Sequence, residues 1–189
     1  MAQQPSEKTT ANRNRRKFLV QATASALAVS CPQLILANTH TREEKTLSFL
    51  NLHTHETLQC CYWRDNQLNL DALTKINHIL RDHRTQEVAQ IDYQVIDMLH
   101  TLHSLTGSSA PFEIISGYRS PKTNATLRKS TSGVAKRSLH MQGKAIDVRL
   151  PDIELKKLRD TAISLQAGGV GYYAKSGFLH LDTGTPRNW

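Results

Sequence analysis

Cysteine is scarce, with three residues in a chain of 189. Cys31 falls in the N-terminal leader considered below, and Cys60 and Cys61 are chain neighbours that could bond to each other only under strain, so no structural disulfide is expected. The apolar strand candidate 58–63 turns one of that pair toward the core and leaves the other as a free thiol. The chain also lacks a run of about 20 strongly apolar residues, the length a membrane span needs. Its weakly apolar stretch 18–37 is interrupted by Gln21, Ser25, Ser30 and Pro32, which argues against a permanent anchor. No internal repeat is visible. Beyond the leader there is neither a basic cluster nor a set of interleaved aromatics, so nucleic acid is not an expected partner.

Much of the charge lies at the N-terminus. Positions 1–37 hold five Lys or Arg and one acid, which accounts for +4 of the formal +8 and leaves +4 for the rest. That remainder is mildly basic, a balance that suits an anionic polymer and equally a solvated surface. Asn14, Arg15, Arg16, Lys17, Phe18 and Leu19 form a twin-arginine start, followed by a stretch rich in Ala, Ser and Thr. The pattern reads as an export signal over 1–37, cleaved after Ala37, that delivers a domain of 38–189 to the periplasm or cell envelope. Lipid attachment at Cys31 is the alternative, with Ala28 where lipoprotein signals usually carry leucine. The length left after the leader suits a single domain with a real hydrophobic core.

Strands and helices are mixed along that domain. Residues 46–53 and 58–63 read as a hairpin around HTHET, with Asn66 and Gln67 making the next turn. Asn69 is a cap candidate for a helix whose apolar stripe is Leu70, Leu73, Ile76 and Leu80, and Val95, Ile96, Leu99, Leu102 and Leu105 repeat that spacing before Gly107. Residues 112–116 form a short strand leading to Tyr118 and Arg119, and 153–165 form another amphipathic helix stopped by Gly168 and Gly169. The loop 130–136 is a candidate lip beside the segment that follows. His78, His83, His100 and His103 lie on or near helices without a carboxylate at ligand spacing, so they read as ordinary packing residues, while His53 and His55 stay open.

The chemistry concentrates after residue 137. SLHMQGKAID, residues 138–147, holds His140 and Asp147 seven positions apart around a glycine, and His180 follows in FLHLD. Alternation over 145–150 puts Asp147 on a face with Ala145 and Arg149, opposite Ile146, Val148 and Leu150. The same period pairs His180 with Asp182, opposite Leu179 and Leu181. Polar groups on strands that are otherwise apolar need partners, and a divalent cation is one way to supply them. Satisfied hydrogen bonding or solvent exposure is the other, and spacing alone does not choose between them.

Several ordered motifs together resemble a family, the zinc D-Ala-D-Ala metallopeptidases and their relatives, which share a fold with hedgehog signalling domains. They are GYRSP at 117–121 with Asn124 after it, SLHMQGKAIDV at 138–148, GGVGYY at 168–173 and FLHLDTG at 178–184. LNLHTHETL, CCYW and LRDHRT, between 50 and 85, resemble its murein endopeptidase branch, so the likeness covers nearly all of the chain beyond the leader. It implies an α+β single domain, with a small antiparallel sheet carrying a zinc site and helices packed on it. It implies Zn2+ held by His140, Asp147 and His180. It further implies hydrolysis of peptide cross-links in peptidoglycan during wall remodelling, with the peptide stems as partner.

Peptide hydrolysis by such a site needs a polarised carbonyl, an activated water, a proton acceptor and a positive group for the oxyanion. The resemblance assigns Arg119, beside Tyr118, to the substrate carboxylate or oxyanion, the alternative being an arginine that ties down a turn. It gives Ser138 a substrate contact, where residue type alone allows a structural cap equally. The proton acceptor is where this sequence departs from the pattern. Many relatives carry a glutamate or histidine shortly before the last zinc histidine, but Ala174, Lys175, Ser176, Gly177 and Phe178 offer no carboxylate. Asp182 is the remaining candidate base, with orientation of His180 as its competing role, and Tyr172 and Tyr173 are possible donors. A D,D-carboxypeptidase and a non-catalytic, zinc-stabilised wall-binding module are the alternative functions.

Overall fold

The computed structural model describes residues 43–130 and 133–189. The export signal, the Ala37 cleavage point and Cys31 lie outside the described residues, as do positions 131 and 132 of the candidate lip. Strand β1 (Glu44–Asn51) and strand β2 (Thr57–Arg64) form the expected antiparallel hairpin. Asn51 organises its turn, donating from Nδ2 to Ile79 O at 2.9 Å and accepting the His53 and Thr54 N–H groups on Oδ1. Asp65 and Asn66, both at positive φ, then make a tight turn into β3 (Gln67–Leu68). The turn thus sits one residue earlier than expected, because Asp and Asn tolerate the left-handed backbone that a two-residue loop demands.

Helix α1 (Leu70–Ile79) starts where Asn69 Oδ1 accepts the Ala72 N–H at 3.1 Å, a cap that contributes about 1 kcal/mol. Its buried face is Ala72, Ile76 and Ile79, while Leu70, expected in the stripe, is 73% exposed. Helix α2 (Tyr93–Thr106) is capped by Asp92, buries Val95, Ile96, Met98, Leu99 and Leu102, and ends on Gly107 at φ 68. Helix α3 (Pro121–Ser130) carries no apolar stripe; Thr123 and Asn124 are its buried residues. Its start was nevertheless written locally, since Ser120 Oγ accepts the Thr123 N–H and Pro121 takes the first helical position. Helix α4 (Leu155–Ser164) closes at Leu165, before the two glycines that were expected to stop it.

The remaining strands are β4 (Phe112–Ser116), β5 (Ala145–Arg149), β6 (Gly169–Tyr173), β7 (Phe178–Asp182) and β8 (Arg187–Asn188). All eight strands form one sheet in the order β3-β2-β1-β4-β5-β7-β6-β8. The architecture is α+β, but the sheet is larger than expected and mixed. β1 runs parallel to β4 and β6 parallel to β8, while the other pairs are antiparallel. The β1–β4 pair is parallel because α1 and α2 carry the chain back across between them, the length of connection such a pair requires. Leu47, Phe49, Tyr62, Phe112, Ile114, Ile146, Val148, Leu179 and Leu181 from the sheet pack with Ile76, Ile96, Leu99, Leu102 and Leu158 from the helices. Cys60 and Cys61 are both free and half-buried, Cys60 against this core and Cys61 donating to Trp63 O. Among the described residues no helix is long and apolar enough to cross a membrane.

Candidate metal centre

The register of β5 and β7 sets Asp147 opposite His180. Because successive strand residues face opposite ways, burying Ile146, Val148, Leu179 and Leu181 in the core turns Asp147, His180 and Asp182 to the other side of the sheet. His140 reaches the same place from a short 3-10 turn, Leu139–Gln142, closed by Gly143 at φ 66. A Cβ on residue 143 would also collide with the Gln90 carbonyl, so both conformation and space require glycine there.

His140 Nε2 lies 3.2 Å from Asp147 Oδ1 and 3.2 Å from His180 Nδ1, and His180 Nδ1 lies 2.9 Å from Asp147 Oδ1. The neighbours of the two rings fix which nitrogens face inward. His140 Nδ1 sits 2.8 Å from the Gly117 carbonyl, which only accepts, so Nδ1 carries the proton and Nε2 presents its lone pair. His180 Nε2 sits 3.0 Å from Asp182 Oδ2, which assigns its proton outward and leaves Nδ1 facing Asp147. Three lone pairs thus converge, and this donor set fits a divalent ion. It is the one group of three or more His, Cys, Asp or Glu found able to hold a metal among the described residues. Electrostatics agree. Burial opposes a charged imidazole at His180, yet its hydrogen bonds to Asp147 and Asp182 outweigh that and raise its pKa to about 9. Burial likewise works against ionised Asp147, but His140 and His180 hold its carboxyl well below the usual range. A proton at His180 and a cation at the centre answer the same local demand for positive charge.

Asp182 is wholly buried and fully engaged. Besides His180, Oδ1 accepts the N–H groups of Gly169 and Gly184 at 3.2 and 2.8 Å, and Arg187 donates to both oxygens at 3.0 and 2.7 Å. Burial would raise its pKa, but the bonds from His180, Arg187 and Gly184 prevail and lower it.

Arg119 also enters the site, its Nη2 3.6 Å from Asp147 Oδ2. Its other side-chain contacts are long, 3.5 Å to Asn124 Oδ1 and 3.4 Å to Ser116 Oγ, and its buried Nε–H has no partner among the described residues. Burial lowers its pKa against the pull of Asp147. Its backbone N–H donates to the His140 carbonyl at 3.2 Å, so GYRSP and SLHMQG are tied to each other on both sides of His140. A cleft of about 510 Å³ opens over these groups, bounded by Arg119, Arg137, Ser138, Tyr173, Phe178 and Trp189. Ser138 precedes the 3-10 turn but its side chain makes no capping bond. Tyr118 is not brought to the cleft, because its N–H is bound by Leu80 O and its ring packs on the core. Tyr172 lies under the Arg159 guanidinium at 4.7 Å, whereas Tyr173 lines the cleft. Arg187 and Trp189 belong to the site without any sequence signal, since no spacing rule relates them to His140, Asp147 and His180.

Sequence comparison adds an independent observation. The family described as Peptidoglycan L,D-endopeptidase MepK matches residues 39–189. The chain belongs to this family. It is 39% identical over 176 residues to the peptidoglycan L,D-endopeptidase MepK of Escherichia coli K12, covering 93% of this chain and 97% of that protein. It is 38% identical over 180 residues to the probable peptidoglycan L,D-endopeptidase MepK of Haemophilus influenzae, covering 94% and 96%. No solved structure matches significantly. The MepK family match spans the whole described sheet, including β6 and β8, which carry Tyr173 and the approach to Trp189.

Proposed function

We propose that this chain is an exported, zinc-dependent endopeptidase that hydrolyses peptide cross-links of peptidoglycan, at L,D bonds beside a diamino acid, during cell-wall remodelling. The observation that carries this reading is the convergence of three lone pairs in a cleft, in a chain whose relatives are named peptidoglycan L,D-endopeptidases. His140 Nε2, Asp147 Oδ1 and His180 Nδ1 would hold the ion, a two-imidazole, one-carboxylate set of the kind catalytic zinc sites use. A bound zinc ion supplies Lewis-acid polarisation of the scissile carbonyl and brings a water's pKa toward about 7. Arg119 offers a guanidinium with spare N–H capacity to a substrate carboxylate or to the oxyanion as it develops. Ser138, buried at the cleft with no capping duty, adds a hydroxyl toward the substrate. Of the two roles for Asp182, the bonds it makes favour orienting His180 over accepting a proton. Helices α1, α2 and α4 pack on the core side of the sheet, away from the three candidate ligands, which supports the hedgehog-like peptidase arrangement that the sequence motifs imply.

Incubation of the purified protein with intact sacculi tests this. Dimeric muropeptides decline without a chelator and persist with one, and zinc restores the loss. Binding to sacculi with no change in cross-linking in either arm would instead make the protein a wall-binding module.

The twin-arginine start at 14–19 supports export of the 38–189 domain to the periplasm or cell envelope, where its polymer lies. Cells carrying Arg15→Lys together with Arg16→Lys are expected to lose the envelope pool on fractionation. An undisturbed pool rejects this route.

A further inference from the structure

Trp189 is anchored with unusual thoroughness for an exposed aromatic. Its backbone N–H donates to Val170 O at 3.2 Å and its carbonyl accepts the Tyr172 N–H at 2.9 Å, which extends the β6–β8 pairing by one residue. The indole N–H donates to Tyr173 Oη at 3.2 Å, and the Arg187 guanidinium lies 5.0 Å from the ring centroid. Part of the ring rests on Gly171, where an added Cβ would come within 2.7 Å of Cε2 and Cζ2. Even so, Trp189 remains 51% exposed, and its ring centroid lies 5.4 Å from that of His180, beside the cleft it lines.

Fixing a large side chain costs rotamer entropy, which burial of its surface normally offsets. Here much of the surface stays in water, so the restraints hold an apolar face ready beside the metal centre. Tyr173 and Phe178, stacked at 4.7 Å and 16°, add two more rings to the cleft lining. The arginines in that lining are Arg119, Arg137 and Arg187; Arg187 is taken up by Asp182, and the other two suit carboxylates. They leave the alkyl and amide parts of a peptide stem without a partner of matching chemistry.

We propose that Trp189 is a substrate-positioning residue whose indole seats the aliphatic segment and amide planes of the stem peptide next to the scissile bond, with Gly171 as the spacer that lets the ring lie flat on β6. This rests on the endopeptidase reading of the same site. A π-face takes C–H groups and amide planes without demanding a specific hydrogen bond, so it serves register and affinity and leaves the chemical step to other groups.

The test uses the zinc-loaded full domain and a purified cross-linked muropeptide dimer. Trp189→Ala is expected to raise KM about tenfold, or about 1.4 kcal/mol of binding, with kcat within about threefold and zinc content unchanged. Trp189→Phe restores most of the affinity, and Trp189→Leu, which keeps apolar bulk without the π-face, restores less. As a readout independent of turnover, the monomeric muropeptide product changes tryptophan emission in wild type, and that change is absent in Trp189→Phe. The proposal is overturned if KM is unmoved in Trp189→Ala and Trp189→Leu, or if emission responds equally in wild type and Trp189→Phe. Loss of zinc with a fall in kcat overturns it too, because Trp189 would then act as a prop for His180. Should wild type leave the dimer intact while emission still reports binding through Trp189, the endopeptidase reading fails and the contact stands.

Discussion

Asp147→Asn, and separately His180→Ala, are expected to abolish stoichiometric zinc binding in the purified domain and to lower cross-link hydrolysis by at least about 10³-fold, equivalent to about 4 kcal/mol of transition-state stabilisation. The size follows from how the site is built. Asp147 Oδ1 is the atom both imidazoles face, at 3.2 and 2.9 Å, so turning it into an amide removes the only formal negative charge among the three ligands. An amide can also rotate its NH2 into that position and fill the gap with a donor, which repels a cation. His180→Ala deletes a ligand and strands Asp182 with Arg187 as its remaining side-chain partner, yet β7 keeps its ladder to β5 and β6. Secondary structure by circular dichroism is therefore expected to survive, and metal content of dialysed protein is the deciding measurement. Tight, stoichiometric zinc in Asp147→Asn would mean that the ion sits elsewhere.

For Asp182→Asn the expected outcome is weakened metal affinity, about 10- to 100-fold, with turnover recovered by adding zinc in excess. A general base works best with a pKa near the working pH. Asp182 is driven the other way: despite burial, its bonds hold the carboxyl below the ordinary carboxylate range, and it faces Arg187 on both oxygens. It also lies on the far side of the His180 ring from Asp147, against Nε2, while Nδ1 points to the centre. That arrangement sets the tautomer of His180 and keeps Asp182 away from the point where the three lone pairs meet. The opposing result, full zinc occupancy at low metal concentration with turnover lost and not rescued, would return the proton-acceptor role to Asp182. Equilibrium dialysis and hydrolysis of the muropeptide dimer over a zinc series separate the two.

Much of this centre was legible because strand alternation leaves a strong trace when one face is core and the other is chemistry. Ile146 and Val148 against Asp147, and Leu179 and Leu181 against His180, are such cases, and the motif order supplied their partner His140. Helix starts were legible where a side chain caps them, as at Asn69. The misses have physical causes. Helix α3 buries Thr123 and Asn124, so it has no apolar period to detect, and the cap and proline at its start carry the signal alone. Gly168 and Gly169 have the look of a helix stop, but tertiary pairing with β7 makes β6 begin at Gly169. Arg187 and Trp189 reach the site through the parallel β6–β8 pairing, a long-range contact that no local pattern encodes. Tyr118 illustrates the reverse: adjacent to Arg119 in sequence, it is drawn to the core by Leu80.

The reciprocal bonds between residues 117–119 and His140, one from each segment's backbone or ring, make Arg119 and His140 parts of a single mechanical unit. Drift in the exit of β4 would carry both together and leave their separation intact. Redesign of this cleft for a longer or shorter substrate is therefore more tractable from the 133–138 and 173–178 walls, which can vary in reach while that coupled pair keeps its spacing.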